Sequence, residues 1–182
     1  MFFRKSLFQC LAWLLVSELM CLVIAFSFAL LPSEGWRWVS MICGILAHCL
    51  LMLHAGKEAA NRYLIEVRTG GNPPKKITPF LLALLTALVL WIFYAVLWVK
   101  ADSKSYLNVF LLLNAPFIQL HRLILNGAEP FSALESKRQI LMGLPPIATV
   151  LSVLIGYTIS WLPGIEEIRA RQAQTASRPT HW

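Results

Sequence analysis

Four stretches of this sequence stay apolar for longer than a soluble helix or strand requires: residues 7–31, 36–54, 79–99 and about 140–162. An α-helix rises 1.5 Å per residue, so about 20 apolar residues reach across the roughly 30 Å hydrocarbon layer of a bilayer. A backbone in that layer has no water to pair with, and a helix meets its amide groups within one segment. The expected fold is therefore an all-α membrane protein in a lipid bilayer, with residues 1–168 forming one integral domain. Composition agrees: 58% of the residues are hydrophobic and 14% charged, against about 45–50% and 25% in soluble domains.

The net charge of +7 could point to nucleic acid, but the basic residues crowd the ends of the apolar runs, where lipid headgroups lie. No nucleic-acid module is visible. Arg4 and Lys5 precede a run too long for a signal peptide, whose apolar region spans about 7–15 residues, so a retained anchor is expected. Arg4, Lys5, Lys57, Arg62, Arg68, Lys75 and Lys76 place the N-terminus and the loop from Ala55 to Thr78 in the cytoplasm. Lys57 through Arg68 continues the second helix beyond the membrane until Gly70-Gly71-Asn72-Pro73-Pro74 breaks it. Trp36 and Trp38 open the second run. Trp91, Tyr94 and Trp98 close the third, and Tyr157 and Trp161 the last, as interfacial aromatics do. Pro163-Gly164 reads as the final stop, and residues 169–182 read as a disordered polar tail.

Residues 105–125 are ambiguous. They are apolar at Val109 to Leu113 but also hold Asn108, Asn114, Pro116, Gln119, His121 and Arg122. Asn108, Ala115, Gln119, Arg122 and Asn126 share one face at about 100° per residue. Pro116 removes a helical hydrogen bond. The segment is an interfacial or re-entrant helix beside four transmembrane helices, or else a fifth transmembrane helix. The balance of basic residues is the same either way. The polarity and the proline favour four spans, with the C-terminus cytoplasmic.

Lipid gives no hydrophobic drive for helix association, so small residues that permit close approach mark packing faces. Ser17, Cys21, Ala25 and Ala29 form such a row in the first helix, and Ala148, Ser152, Gly156 and Ser160 in the last. Ala83 and Ala87 make a shorter row. These rows form a seam within the molecule or against a partner, which would be another membrane protein or a second copy. Glu18, near the centre of the first run, is the most informative residue. A charge there costs about 2.5–3.5 kcal/mol on insertion scales, which makes it a candidate functional acid or an interhelical hydrogen-bonding group. Its candidate partners are His48, Asn114, Ser17 and Ser152.

Metal and cofactors are not expected. Met41, His48 and Met52 share a face, with Cys21 a further soft ligand, but the spacing is weak for copper and methionine is a common gap filler. Haem ligation by His48 or His121 has no better support. The four cysteines, Cys10, Cys21, Cys43 and Cys49, lie inside apolar runs and read as free thiols. Glu166-Glu167-Ile168-Arg169-Ala170-Arg171 fits the EExxxR string of intramembrane CAAX-type proteases, and Phe117 to His121 their FxxxH string. The order along the chain is reversed, so the match is set aside.

Gly56 with Asn61, Leu113-Asn114-Ala115-Pro116-Phe117 and Gly156-Tyr157 carry a loose resemblance to small multi-pass membrane proteins of Gram-positive bacteria. Glu58 fits that pattern, whereas Ser160 stands where a second glycine is usual. The resemblance implies a bacterial plasma membrane and a cytosolic tail, and it implies no activity. The leading expectation is a non-enzymatic accessory or assembly subunit. The alternative is a small oligomeric transporter or channel using Glu18. A membrane enzyme, built on His121 with Arg122 or on Glu18 with His48, ranks last.

Overall fold

The computed structural model describes residues 2–29, 33–126 and 130–176. Among them the chain forms helices α1 (Phe2–Ala29), α2 (Glu34–Arg68), α3 (Thr78–Val99), α4 (Lys104–Leu112), α5 (Ile118–Leu125), α6 (Ser136–Met142) and α7 (Pro146–Ala176), and no strand. α1, α2, α3 and the α6–α7 pair are long and apolar enough to cross a membrane. Their outer faces carry large apolar side chains, with Phe8 75% and Leu50 64% exposed. In water such a surface would be an aggregation hazard; in a bilayer it is the lipid-facing side. Many polar residues of the bundle lie inside: Ser17, His48, Thr86, Asn114, His121 and Thr149 are all buried.

Contacts between helices give their directions. Cys10 of α1 reaches the carbonyl of Ala55 in α2, and Cys21 that of Gly44. Numbers rise in one helix as they fall in the other, so α1 and α2 are antiparallel. His48 meets Thr149 of α7, and Arg68 meets Glu167, so α2 and α7 run parallel. The end of α3 lies beside α6, where Tyr94 donates to the carbonyl of Gln139. α1 and α3 therefore cross one way, and α2 and α7 the other.

α4 and α5 meet at a 100° bend. Phe131, just beyond α5, packs on Trp98 at the end of α3. The Ser132 N–H donates to the Ala101 carbonyl at 3.1 Å. The α4–α5 hairpin thus leaves by the end of the bundle at which it entered, the path of a re-entrant hairpin beside four helices long enough to span. The start of α1 and the end of α7 share the opposite end. There Arg4 and Lys5 line a cleft with Arg62, and Glu167 meets Arg68.

α2 and α7 form the closest seam. A Cβ on Gly56 would stand 2.2 Å from the Val153 carbonyl oxygen, and one on Gly156 1.9 Å from that of Leu53. The two glycines let the backbones touch, with Ala55, Ala59 and Ala60 buried alongside. α2 itself is 35 residues long, about 52 Å at 1.5 Å per residue, and overhangs the hydrocarbon. It ends as expected, with Gly70 at φ +87° and the Gly71 N–H returning to the Glu66 carbonyl at 2.9 Å.

Three expectations need correction. The last span is not one helix from 140 to 162, because it breaks between Met142 and Pro146. Pro146 is compatible with a first helical position, and the break frees carbonyls that α3 takes up. Trp91 donates to Gly143 at 2.9 Å and Tyr94 to Gln139 at 2.7 Å. These two aromatics, read as an interfacial belt, serve as caps. Nor does the helix stop at Pro163-Gly164; α7 runs through to Ala176. Gly164 fits closely under Leu64, Ile168 is buried, and Glu167 pairs with Arg171 and Arg68. The supposedly disordered tail is thus helical as far as Ala176, and residues 177–182 lie outside the described residues, as do 30–32 at the expected close of the first span. Finally, the polar stripe from Asn108 to Asn126 does not exist as one face. The bend divides it, leaving Asn108, Arg122 and Asn126 exposed and Ala115 and Gln119 buried.

Gly56→Ala is expected to destabilise the purified protein by about 1–3 kcal/mol through overpacking, whereas Gly35→Ala, whose Cβ meets nothing nearer than 3.9 Å, leaves the thermal midpoint unchanged; a detergent-solubilised melt reads both. Cysteines introduced at Asp102 and Ser132 are expected to react with an impermeant maleimide from one side of sealed vesicles, and cysteines at Arg4 and Arg169 from the other. Labelling of Asp102 and Ser132 from opposite sides would contradict the re-entrant path.

Candidate functional site

The site is built where the re-entrant elbow meets the spans. Pro116 lacks an N–H, and its ring ends the helix that α4 began. The Asn114 side chain folds back to the Phe110 carbonyl at 3.1 Å, and the Phe117 N–H closes a short turn on the Asn114 carbonyl at 3.0 Å. These bonds leave the Ala115 N–H pointing out of the turn. It donates to Glu18 Oε2 at 2.9 Å. Glu18 lies just past the midpoint of α1, so the elbow reaches the middle of the membrane.

Close approach supports this contact. A Cβ on Gly44 would lie 3.3 Å from the Pro116 carbonyl oxygen. The ring of Phe117 packs edge-on against His48 at 5.2 Å. One layer therefore holds Glu18 of α1, Gly44 and His48 of α2, and the elbow. His48 links three helices. Its Nδ1 lies 2.7 Å from Ser17 Oγ of α1, and its Nε2 2.8 Å from Thr149 Oγ1 of α7. Such bonds are worth about 0.6–2 kcal/mol each in a membrane. His121 in α5 similarly ties the hairpin to α6, donating from Nε2 to the Met142 carbonyl at 3.2 Å.

The sequence candidates are thus partly brought together. Glu18 sits at the elbow beside Asn114, but its partner is the next backbone amide rather than the Asn114 side chain. His48 bonds Ser17 instead of Glu18. Ser152 is buried at the α2–α7 seam. Of the first row, Ser17, Cys21 and Ala25 are buried, and the first two face α2, while Ala29 is exposed. Of the last row, Ser152 and Gly156 are buried, and Ala148 and Ser160 only half so. Ala83 and Ala87 are buried. Ser17 and Cys21 of the first row and Gly156 of the last meet α2, whereas Ala25 belongs to the cluster around Leu97, Leu107 and Ile118. Thr149 and Gly44 were not anticipated. The signal for Thr149 was a hydroxyl at the depth of His48.

One atom of this layer is left over: Glu18 Oε1 is buried and has no hydrogen-bond partner among the described residues. No protein-family model, curated protein or solved structure matches the chain.

Glu18→Ala would leave the Ala115 N–H unpaired in hydrocarbon, a loss of about 1–3 kcal/mol. Glu18→Gln keeps an acceptor oxygen. Hydrogen–deuterium exchange at residues 113–117 is expected to rise at least tenfold in Glu18→Ala and to stay near the wild-type rate in Glu18→Gln.

Proposed function

We propose that this chain is a non-enzymatic membrane subunit that serves an assembly, presenting its hairpin and lipid-facing helices to another membrane protein or to a second copy. The observation that carries this reading is how the intramembrane polar groups are used. Both ring nitrogens of His48 face hydroxyls, Cys10 and Cys21 donate to α2 carbonyls, His121 donates to α6, and Glu18 receives the elbow. Groups engaged in this way hold helices together, which favours a structural role for them. We place the protein in a bacterial plasma membrane with both ends cytoplasmic. The basic residues at the Arg4 and Arg62 end support that orientation, and the resemblance carried by Gly56, Asn114-Ala115-Pro116 and Gly156-Tyr157 supports the setting.

A second reading is a small oligomeric transporter or channel. The unpaired Oε1 of Glu18 at the tip of a re-entrant hairpin favours it, because discontinuous helices and buried acids mark ion pathways.

Mild-detergent extraction from native membranes followed by crosslinking tests the first reading. The expected product is a species heavier than the 20.6 kDa chain; monomer alone would refute it. Proton and sodium flux into liposomes separates the two readings. Equal flux in wild type and Glu18→Gln agrees with a subunit, and flux lost in Glu18→Gln agrees with a transporter.

A further inference from the structure

We propose that the cleft between the first turns of α1 and the far end of α2 holds the headgroup of an anionic phospholipid. The cleft has a volume of about 450 Å³ and is lined by Arg4, Lys5, Phe8, Gln9, Ala12 and Arg62. The register that sets Cys10 against Ala55 brings Arg62 level with the first turn of α1, so three cations from two helices converge. Arg4, Lys5 and Arg62 are exposed, and no carboxylate pairs with any of them among the described residues. Glu58, one turn before Arg62, is directed elsewhere: it accepts from Trp13 at 2.9 Å and lies 3.4 Å from His54.

Position selects a lipid over a soluble anion. The apolar run of α1 begins at Leu7, so the cations stand at the hydrocarbon boundary, where lipid phosphates lie. Phe8 and Ala12 continue the wall one and two turns deeper, on a face open to acyl chains. Charge adds discrimination: an anionic phospholipid brings a net negative charge to the three cations, while phosphatidylcholine is neutral overall.

Delipidated wild-type protein in neutral detergent is titrated with phosphatidylglycerol or phosphatidylcholine and read by native mass spectrometry. Phosphatidylglycerol is expected to bind at least tenfold more tightly. One surface cation contributes about 1 kcal/mol, so Arg62→Gln weakens phosphatidylglycerol about fivefold, and the triple variant Arg4→Gln, Lys5→Gln, Arg62→Gln on the order of a hundredfold. Phosphatidylcholine binding stays constant. Raising salt from 0.05 to 0.5 M, roughly the range over which screening takes hold, weakens phosphatidylglycerol binding to wild type and leaves the triple variant unchanged. Equal affinity for the two lipids, full retention of phosphatidylglycerol by the triple variant, or salt-independent binding by wild type would each overturn the proposal.

Discussion

A single hydrogen bond makes the hairpin possible. Irregular backbone at membrane depth is tolerated only where protein pairs its amides, and an elbow bent by 100° necessarily frees some of them. Pro116 removes one N–H, Asn114 restrains a carbonyl one turn back, and Glu18 takes the remaining outward amide, that of Ala115. The acid and the proline are separated by almost a hundred residues, yet each accounts for the other. Without the elbow, Glu18 would be an unpartnered acid in hydrocarbon, and without Glu18 the elbow would expose its backbone.

α2 organises the rest. Its glycines and alanines receive α7 at backbone contact, its His48 ties α1 to α7, and its Gly44 admits the elbow. The helices are held by small-residue contact and a few hydrogen bonds, as expected where lipid cannot drive association. This explains why many polar residues lie inside while large apolar residues cover the outside.

Much of the fold was legible from the sequence because hydrocarbon thickness dictates helix length. The four apolar runs, the overhang of α2, its glycine stop and the break at Pro116 all follow from length and from residues with fixed backbone chemistry. The break before Pro146 was harder to see, since Leu144 and the two prolines do not interrupt the apolar pattern, and its freed carbonyls are capped by Trp91 and Tyr94 from another helix. The course of α7 past Pro163 depends on α2 running alongside, a tertiary fact that local composition cannot carry. At the site, Glu18 stood out as a charge in an apolar run. Its partner did not, because a backbone amide leaves no trace in residue type.

The parallel pairing of α2 and α7 has a consequence for biosynthesis. Among the described helices, α7 emerges from the ribosome after all the others, whereas α2 follows only α1. Until α7 arrives, Gly56, Ala59, Ala60 and the Nε2 of His48 lack the contacts they make in the finished molecule, while α1 and the hairpin can already dock. The α2–α7 seam can therefore close only after residue 146 has been made, and a ribosome that stalls before it would leave a nascent form whose α2 is still open on one side.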